Sequence, residues 1–381
     1  MNFCLPENVQ KIIEALENSG YEAYIVGGCV RDYLLGTAPQ DFDICTDATP
    51  DTVMSIFPHT VATGIKHGTV TVIADKTPYE VTTFRTDGVY KDSRHPEDVR
   101  FTKNIKDDLS RRDFTVNAMC YNQKSGLIDY FGGEADIKAK ILRAVGDAET
   151  RFFEDALRIL RLFRFASTLT FSIEEKTFAA AIKNAGYLEN ISRERIREEL
   201  SRLSCGKSPE AVLPLLDTGA LPGMTANKEI AKITALPQNK RLKFFAFLNL
   251  ASENAASTAE NLKCSNAFKE YSEKMQTGLA AKCETPADIK KLLRLLEGDI
   301  FDLLAYKKAI LGEDTEELEA AAKRIIESGE PYKISQLKIS GEDLRKKGYR
   351  GKDIGKKLEE LLEKVINDPK LNRKEALENL I

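Results

Sequence analysis

The chain has 381 residues, too many for one ordinary hydrophobic core, so we expect two to four domains. Its 56 basic and 59 acidic side chains give a net charge of −3, so any polyanion-binding surface must come from local clustering of basic residues. The seven cysteines are widely spaced and include no Cys-x-x-Cys pair, which argues against a disulfide framework or a zinc knuckle. This pattern favours a reducing, cytoplasmic location, and we expect neither a signal peptide nor a membrane span.

The first 140 residues mix predicted helices and strands. In chain order, the periodicity and the turn residues predict a helix over 7–19, a strand over 22–26, a short helix over 30–35, a strand over 41–45, a helix that begins at Thr49-Pro50, and a hairpin of strands 68–74 and 79–84. From about residue 147 the strand signal vanishes and helix follows helix, with breaks at Gly186, 206–209, 221–223, Pro237 and Gly312. We therefore predict an α+β fold: a head with a mixed sheet and helices, followed by all-α modules.

Asp41 and Asp43 are two residues apart on a predicted strand, where side chains two apart point the same way. Two carboxylates on one face repel each other unless a cation lies between them, and hard oxygen ligands suit Mg²⁺. Glu80 begins the next alternating segment and is a candidate third carboxylate on a neighbouring strand. The alternative is a set of surface acids at strand ends.

Residues 27–32 read Gly-Gly-Cys-Val-Arg-Asp at a predicted strand-to-helix junction. Gly27 and Gly28 allow the backbone to approach a ligand closely, and the free N–H groups of the following helix suit phosphate. Arg31 adds a positive charge, with Asp32 beside it. A tight turn without a ligand is the alternative.

A further polar cluster spans residues 111–118, Arg-Arg-Asp-Phe-Thr-Val-Asn-Ala. Arg112 is a candidate phosphate ligand, whereas Asp113 and Asn117 are candidates for fixing loops or a ribose. The alternative is a capped helix end with a salt bridge.

Residues 154–165 carry the most informative pattern, because Arg158, Arg161 and Arg164 recur every third residue and Asp155 lies three before the first of them. On a helix this spacing puts the side chains on adjacent turns. A guanidinium fork matches phosphate oxygens, and an acid beside an arginine can pair with the edge of a base. The alternative is a solvated, salt-bridged face. We expect the opposite side of the helix to be buried: Ala156, Ile159, Leu160 and Phe163.

The order of these clusters resembles that of the class II tRNA nucleotidyltransferases, the CCA-adding enzymes of the polymerase-β-like superfamily. Residues 64–69, 80–85 and 194–200 match as well. The resemblance is dense over 21–205 and returns at 339–344 and 348–365. It implies a polymerase-β-like catalytic head over 1–140, a helical neck for base recognition over 141–205, a helical body over 206–275, and a helical, tRNA-binding tail over 276–381.

The resemblance also implies a role for each candidate residue. Asp41 and Asp43 would bind Mg²⁺ with help from Glu80. Two groups of residues would bind the nucleotide. The first would contact the triphosphate and line the pocket: Gly28, Arg31, Arg112, Arg161 and Arg164. The second is the base-reading pair, Asp155 and Arg158, which Glu154 would brace. Gly27, Asp32, Asp113 and Asn117 would support them.

The activity so implied is template-independent addition of C, C and A to the 3′ end of tRNA from CTP and ATP. The 3′-hydroxyl would attack the α-phosphate in line, with two metal ions, and release pyrophosphate. Cytosine and adenine each present an exocyclic amine beside a ring nitrogen, so Asp155 can accept from the amine and Arg158 can donate to the ring. Uracil and guanine place a carbonyl against Asp155, which leaves acceptors unpaired. We expect no membrane association and no obligate protein partner.

Basic residues crowd the last segment, where a glycine-spaced turn over 348–355 opens a helix. Arg350, Lys352 and Lys356 are candidate RNA phosphate ligands, and by resemblance this tail would touch the tRNA elbow through shape and backbone. The alternative is a solvated helix surface, because acids interleave with the lysines at positions 359, 360 and 363.

Related activities remain as alternatives. A bacterial poly(A) polymerase usually has a Gly-Arg-Arg-Phe-like stretch where residues 64–68 read Gly-Ile-Lys-His-Gly. CC-adding enzymes tend to lack the loop Asp-Gly-x-Tyr-x-Asp-x-Arg, which this chain keeps at 87–94, so A addition is expected; an A-only enzyme is a further alternative. An inactive RNA-binding module and a small-molecule nucleotidyltransferase are more remote.

Overall fold

The computed structural model describes residues 3–87 and 99–381, so the predicted loop beyond Asp87 lies outside the described residues. The chain divides into two compact units, residues 1–226 and residues 227–381. The first is α+β and the second is helical, which confirms the predicted fold class. The finer division into four domains stays a prediction.

A seven-stranded sheet, in the order β3-β4-β5-β2-β1-β8-β9, forms the centre of the first unit. β2 and β5 run parallel, and the other neighbours run antiparallel. Two small sheets pair β6 with β7 and β10 with β11. The strands are β1 (Ala23–Val26), β2 (Asp43–Thr46), β3 (Thr60–Gly64), β4 (Thr69–Ala74), β5 (Thr77–Thr83), β6 (Arg85–Asp87), β7 (Val99–Phe101), β8 (Met119–Asn122), β9 (Gly126–Asp129), β10 (Ile141–Leu142) and β11 (Ser172–Ile173).

The predicted hairpin is confirmed, with β4 and β5 joined by a two-residue turn. Asp75 and Lys76 have φ values of +46° and +66°, the left-handed pair that a tight antiparallel hairpin requires. The neighbouring β1, β2 and β5 place Ile25, Ile44 and Val81 in the core with no exposed surface. These buried strands hold the ends of β2 and β5 in fixed register.

The helices of the first unit pack on this sheet and continue beyond it. Those predicted over 7–19 and from Thr49-Pro50 are confirmed, and the short helix predicted from residue 30 begins at Gly28. The helices are α1 (Glu7–Asn18), α2 (Gly28–Leu34), α3 (Pro50–Ile56), α4 (Ile105–Ser110), α5 (Gly133–Ala139), α6 (Ala148–Glu154), α7 (Leu157–Leu169), α8 (Glu175–Lys183), α9 (Arg193–Leu203) and α10 (Leu213–Asp217).

The prediction that no strand follows residue 147 is wrong. β11 pairs in parallel with β10, and Ser172 N–H donates to the Lys140 carbonyl at 2.9 Å. Each of these strands has two residues, too few for an alternating pattern to show in the sequence. β3, which sequence periodicity also missed, is an edge strand with exposed side chains, so it carries no buried face to mark it.

The second unit is helical in its described elements: α11 (Lys240–Ala251), α12 (Ala255–Asn261), α13 (Asn266–Ala280), α14 (Pro286–Leu296), α15 (Ile300–Tyr306), α16 (Glu316–Ser328), α17 (Gly341–Lys346), α18 (Lys352–Asn367) and α19 (Lys374–Glu378). Near the C-terminus, α18 buries Leu361, Leu362 and Val365 in a small core with Leu337 and Leu377. Across the residues that the structure describes, no helix combines the length and the apolarity needed to cross a membrane.

Candidate active site

Two acidic residues lie at the start of β2. The strand begins at Asp43, so Asp41 precedes it and strand alternation does not orient Asp41 as the sequence predicted. The Asp43 side chain is accessible to solvent but has many protein atoms around it, and this partial burial raises its pKa. Arg112 opposes that shift and Asp41 adds to it. The charge of Asp41 therefore disfavours ionisation of Asp43, an effect that a cation bound to both would reverse.

Glu80 of β5 is the register partner of Asp43 in the parallel β2–β5 pair. Paired residues of adjacent strands point to the same face of a sheet, so Glu80 lies beside Asp43 on that face. Among the described residues, no three His, Cys, Asp or Glu side chains converge closely enough to hold a metal ion. Glu80 as a third ligand therefore stays a prediction. A pair of carboxylates suits Mg²⁺, which binds one or two of them and keeps positions for phosphate and water.

The turn between β1 and α2 brings the backbone against Arg112. Gly27 has a φ of +79°, which favours glycine, and a Cβ there would lie 3.0 Å from Nη1 of Arg112. Arg112 donates from Nη2 to Asp108 at 3.2 Å, whereas its buried Nε has no hydrogen-bond partner among the described residues. Burial alone would lower the pKa of Arg112, but nearby Asp108, Cys45 and Asp43 outweigh burial and raise it. A charged guanidinium, whose unpaired Nε is itself buried, thus acts on the charge of Asp43.

Arg31 of α2 is held by its neighbours in the predicted clusters. Its Nη1 donates to Oδ1 of Asn117 at 2.6 Å, and its Nε and Nη2 donate to Oδ1 of Asp32 at 3.0 and 2.7 Å. A Cβ at Gly28 would lie 3.6 Å from Nη2 of Arg31, an ordinary contact distance. Asp32 and Asn117 therefore fix the position of this cation, and the turn at Gly28 leaves room for it.

Asp113 connects the polar cluster at 111–118 with α7. Its Oδ1 accepts from Phe114 N–H at 2.8 Å and from Asn117 Nδ2 at 3.2 Å, while its Oδ2 accepts from Arg161 Nε at 2.8 Å. Burial would raise the pKa of Asp113, but Arg161 and these hydrogen bonds lower it to about 2. The predicted alternative, a helix end with a salt bridge, is also present, because Arg111 and Arg112 follow α4 and pair with its Asp108 at 2.9 and 3.2 Å. The Asp113 contact is a separate feature, because it joins residues 48 positions apart.

Glu199 of α9 holds the other end of the arginine series. It accepts from Arg164 Nε at 2.5 Å, and its second oxygen lies 3.8 Å from Nη1 of Arg161. Burial lowers the pKa of Arg164, although Glu199 opposes the effect. The alternative of a solvated, salt-bridged face is met in part: each arginine of the series has an ion pair, and the exposed fraction of the side chain is 32% for Arg161 but only 11% for Arg164. The side predicted to be buried is confirmed: Ala156, Ile159, Leu160 and Phe163 have no exposed surface.

The stretch 154–165 is not one helix, as its spacing predicted. α6 ends at Glu154, Asp155 is extended, and α7 begins at Leu157. The Asp155 carboxylate accepts from Leu157 N–H at 3.1 Å, a local bond that competes with helix continuation. Glu154 nevertheless accepts from Arg158 Nη1 at 3.0 Å across the break. The buried Arg158 also donates to the Arg111 carbonyl at 2.8 Å, which ties it to the polar cluster.

Arg195 of α9 is a site residue that sequence reasoning missed. It donates from Nη2 to Oδ2 of Asp155 at 3.0 Å. Asp155 and Arg158 are therefore held by separate partners, Arg195 and Glu154. Glu199 was missed in the same way, although the alternating charges of residues 193–199 were the available signal.

The tail candidates lie around the turn between α17 and α18. A groove of about 890 Å³ is lined by Lys347, Gly348, Tyr349, Arg350, Asp353, Lys356, Lys357, Glu360 and Ile381. Arg350, Lys352 and Lys356 are exposed and make no ion pair within the described part of the chain. The interleaved acids are paired elsewhere: Glu359 with Arg294, Glu360 with Lys357 and Lys364, and Glu363 with Lys291. The three candidates thus present positive charge without an ion pair, although the exposed Asp353 lines the same groove.

Comparison with known proteins decides the family. Residues 23–143 match the "Poly A polymerase head domain" model, and residues 170–224 match the "Probable RNA and SrmB-binding site of polymerase A" model. A CCA-adding enzyme of Lactobacillus delbrueckii subsp. bulgaricus is 37% identical over 96% of this chain and 95% of its own length. The chain belongs to the CCA-adding enzyme family. It is a nucleotidyltransferase, as the order of its motifs predicted.

Solved structures agree with this membership. The CCA-adding enzyme of Bacillus stearothermophilus in complex with CTP is 31% identical, has a TM-score of 0.85, and is matched over 98% of this chain and 97% of that one. The CCA-adding enzyme of Thermotoga maritima complexed with tRNA is 24% identical, with a TM-score of 0.67 over 98% and 94% of the two chains, and supports the fold. A CCA-adding enzyme of Geobacillus thermodenitrificans is 50% identical to this chain over 57% of this chain and 55% of its own length.

Proposed function

We propose that this chain adds C, C and A to the 3′ end of tRNA, using CTP and ATP and no nucleic-acid template. The observation that carries the proposal is the position of the 111–118 cluster between the acids and the arginine helix. Arg112 lowers the pKa of Asp43 by its charge, Asp113 binds Arg161, and the Arg111 carbonyl accepts from Arg158. One site in the first unit therefore combines a carboxylate pair with cations that suit a triphosphate.

Mg²⁺ is the proposed cofactor, held by Asp41 and Asp43. The raised pKa of Asp43, due to burial and to the nearby Asp41, marks a carboxylate that a divalent cation would stabilise in its charged form. Bound there, magnesium supplies activation of a 3′-hydroxyl and charge stabilisation on the departing pyrophosphate. Glu80 is proposed as a further ligand or as a base beside the pair.

The protein's own part in the reaction is positioning and electrostatics. Arg31 and Arg112 hold the triphosphate beside the acids, and Arg161 and Arg164 extend the cationic wall. Their positions are set by acids that hold them before substrate arrives, so little rearrangement is needed on binding.

Choice of base is assigned to Asp155 and Arg158. Asp155 accepts from the exocyclic amine of cytosine or adenine, and Arg158 donates to the ring nitrogen. Arg195 and Glu154 orient the two side chains from separate helices. Because the pair rejects uracil and guanine through unpaired acceptors, both permitted bases are selected without a template.

The tail is proposed to bind tRNA through backbone phosphates at Arg350, Lys352 and Lys356. The lack of ion pairs at these three positions, within the described residues, supports this assignment over a merely solvated helix. A cytoplasmic location is likewise proposed, and it is supported by the seven cysteines, all of which are free thiols.

The experiment is to incubate a tRNA transcript that lacks its 3′ CCA with Mg²⁺ and each nucleotide separately, then with CTP and ATP together, and to map the added ends. We expect CC from CTP alone and CCA from the mixture. Addition of CC only, of A only to a CC-ended transcript, or of long A tracts would replace the proposal by a partial enzyme or a poly(A) polymerase. No incorporation into any tRNA would refute it.

A further inference from the structure

Phe165 of α7 lies among three arginines. The guanidinium carbons of Arg31, Arg161 and Arg164 lie 5.2, 5.4 and 3.8 Å from the centroid of its ring. All three distances fall within the roughly 6 Å over which an aromatic face attracts a cation. The ring is only 5% exposed, so these contacts are largely shielded from water. Arg31 comes from α2, and the other two come from α7 itself, so one ring contacts cations of two elements.

Three guanidinium groups around one buried ring repel one another. The structure balances them with one carboxylate each: Asp32 for Arg31, Asp113 for Arg161, and Glu199 for Arg164. Each carboxylate, however, occupies N–H donors of its arginine. The ring attracts the same cations through its π electrons, and this attraction leaves the N–H donors of the arginines free to make strong hydrogen bonds elsewhere.

We propose that Phe165 is a positioning residue for the triphosphate of the incoming nucleotide. Its ring keeps the three guanidinium groups together while leaving N–H donors for phosphate oxygens. The inference rests on the proposed function, since it takes these arginines to be triphosphate ligands. The ring contacts three arginines and neither Asp155 nor Arg158 among its cation contacts, so binding of CTP and ATP should be affected alike and base discrimination should not change.

A role in core packing is the competing explanation, because Phe165 also meets Phe114 edge-on with ring centroids 5.8 Å apart. The same helix offers a matched control. Phe163 has no exposed surface and meets Phe178 edge-on at 6.4 Å, and no cation–π contact to it is present among the described residues. Loss of either ring removes comparable buried apolar surface, but only one removes the contact with the arginines.

The first experiment compares Phe165→Leu with Phe163→Leu in the full chain. Kd is measured for CTP, ATP and inorganic triphosphate, and KM and kcat are measured on tRNA. Phe165→Leu is expected to raise Kd and KM roughly tenfold for both nucleotides and to weaken the binding of inorganic triphosphate to a similar extent. The kcat should stay within about twofold of the wild-type value. Phe163→Leu should lower the melting temperature without this change. If the two variants weakened the binding of inorganic triphosphate equally, the proposal would be overturned.

The second experiment varies the ring's charge distribution at nearly constant shape. Phenylalanine carrying one, two or three ring fluorines is incorporated at position 165, which weakens the π face stepwise. We expect Kd for inorganic triphosphate to rise with each fluorine. A flat series, with incorporation into tRNA intact, overturns the positioning role alone. If the unmodified chain incorporates no nucleotide into tRNA, the proposed function fails first, and the inference fails with it.

Discussion

Arg195 donates a hydrogen bond to Oδ2 of Asp155 at 3.0 Å, and this contact connects α9 to the junction between α6 and α7. Asp155 is extended and lies between two helices, although its backbone N–H still donates to the Arg151 carbonyl at 3.3 Å and its carbonyl accepts from Arg158 N–H at 3.0 Å. Its other oxygen, Oδ1, accepts a hydrogen bond from Leu157 N–H. The orientation of this carboxylate therefore depends on one arginine and one backbone amide.

We predict that Asp155→Ala relaxes nucleotide choice. Without the carboxylate, a carbonyl of uracil or guanine no longer faces an unpaired acceptor, so discrimination against UTP and GTP should fall about 10- to 100-fold. Affinity for the triphosphate should change little, because other residues hold it. Competition between CTP and UTP for incorporation measures the first effect, and displacement by inorganic triphosphate measures the second. Unchanged discrimination would contradict the assigned role.

Arg195→Ala should reproduce part of that effect. The carboxylate remains but loses its anchor, so we expect discrimination to fall about 2- to 10-fold, the worth of one hydrogen bond. Arg193→Ala, on the same helix and without contact to Asp155, is the matched control. The Asp155→Ala/Arg195→Ala double variant should be no worse than Asp155→Ala alone, because the two residues act as a unit. Additive losses would show that Arg195 acts elsewhere.

Asp43→Asn is predicted to abolish transfer but not nucleotide binding. Removal of a direct metal ligand should cost more than the roughly 10- to 100-fold typical of outer-shell partners. The fold should persist, since an amide of equal size replaces a solvent-accessible carboxylate. Single-turnover incorporation and CTP binding are measured together, with the exposed Asp51→Asn as control. Retained turnover in Asp43→Asn would remove this residue from the metal site.

Acid should destabilise the first unit through Asp113. Its folded-state pKa of about 2 lies below the ordinary aspartate value, so its stabilisation is complete above about pH 4 and is lost as pH falls toward 2. The difference between the pKa of Asp113 in the folded state and its ordinary value corresponds to about 2 kcal/mol in the free energy of unfolding. Hydrogen exchange of the α7 amides reports on this unit. In Asp113→Asn the α7 amides should be less protected from exchange at pH 7 than in the wild type. This difference in protection should narrow below pH 4. A gap independent of pH would contradict the ionic role.

Arg350→Ala and Lys356→Ala should weaken tRNA binding regardless of sequence. Each removes one candidate phosphate contact, so the slope of log K against log salt should decrease in magnitude by about 1 per variant. Filter binding of tRNA across a salt series measures it. Lys338→Ala, an exposed lysine outside the groove, should leave the slope unchanged. Identical slopes in all variants would leave the tail without an RNA role at these positions.

Much of this site could be predicted from the sequence because its motifs are local. The glycine turn, the acids at β2 and the arginine series each lie within one short segment, and glycine, carboxylate and guanidinium chemistry indicates their use. Arg195 and Glu199 could not be assigned in this way. Their partners lie 40 and 35 positions away, and an alternating charged helix is compatible with many partners.

The break at Asp155 was missed for a different reason. Its flanking residues keep a helical period on both sides, so the pattern gives no sign of a junction. A side-chain bond to Leu157 N–H decides the local backbone, and propensity alone does not reveal that choice. The strand β3 was missed because both its faces are exposed.

The parallel pairing of Asp43 with Glu80 has a consequence for how the protein acquires activity. The two residues are joined by 36 intervening residues that include α3, β3, β4 and the turn into β5. Pairing between parallel strands so far apart in sequence is a slow, non-local step of folding. Recovery of nucleotidyl transfer during refolding should therefore lag behind the return of helical signal and report completion of the sheet.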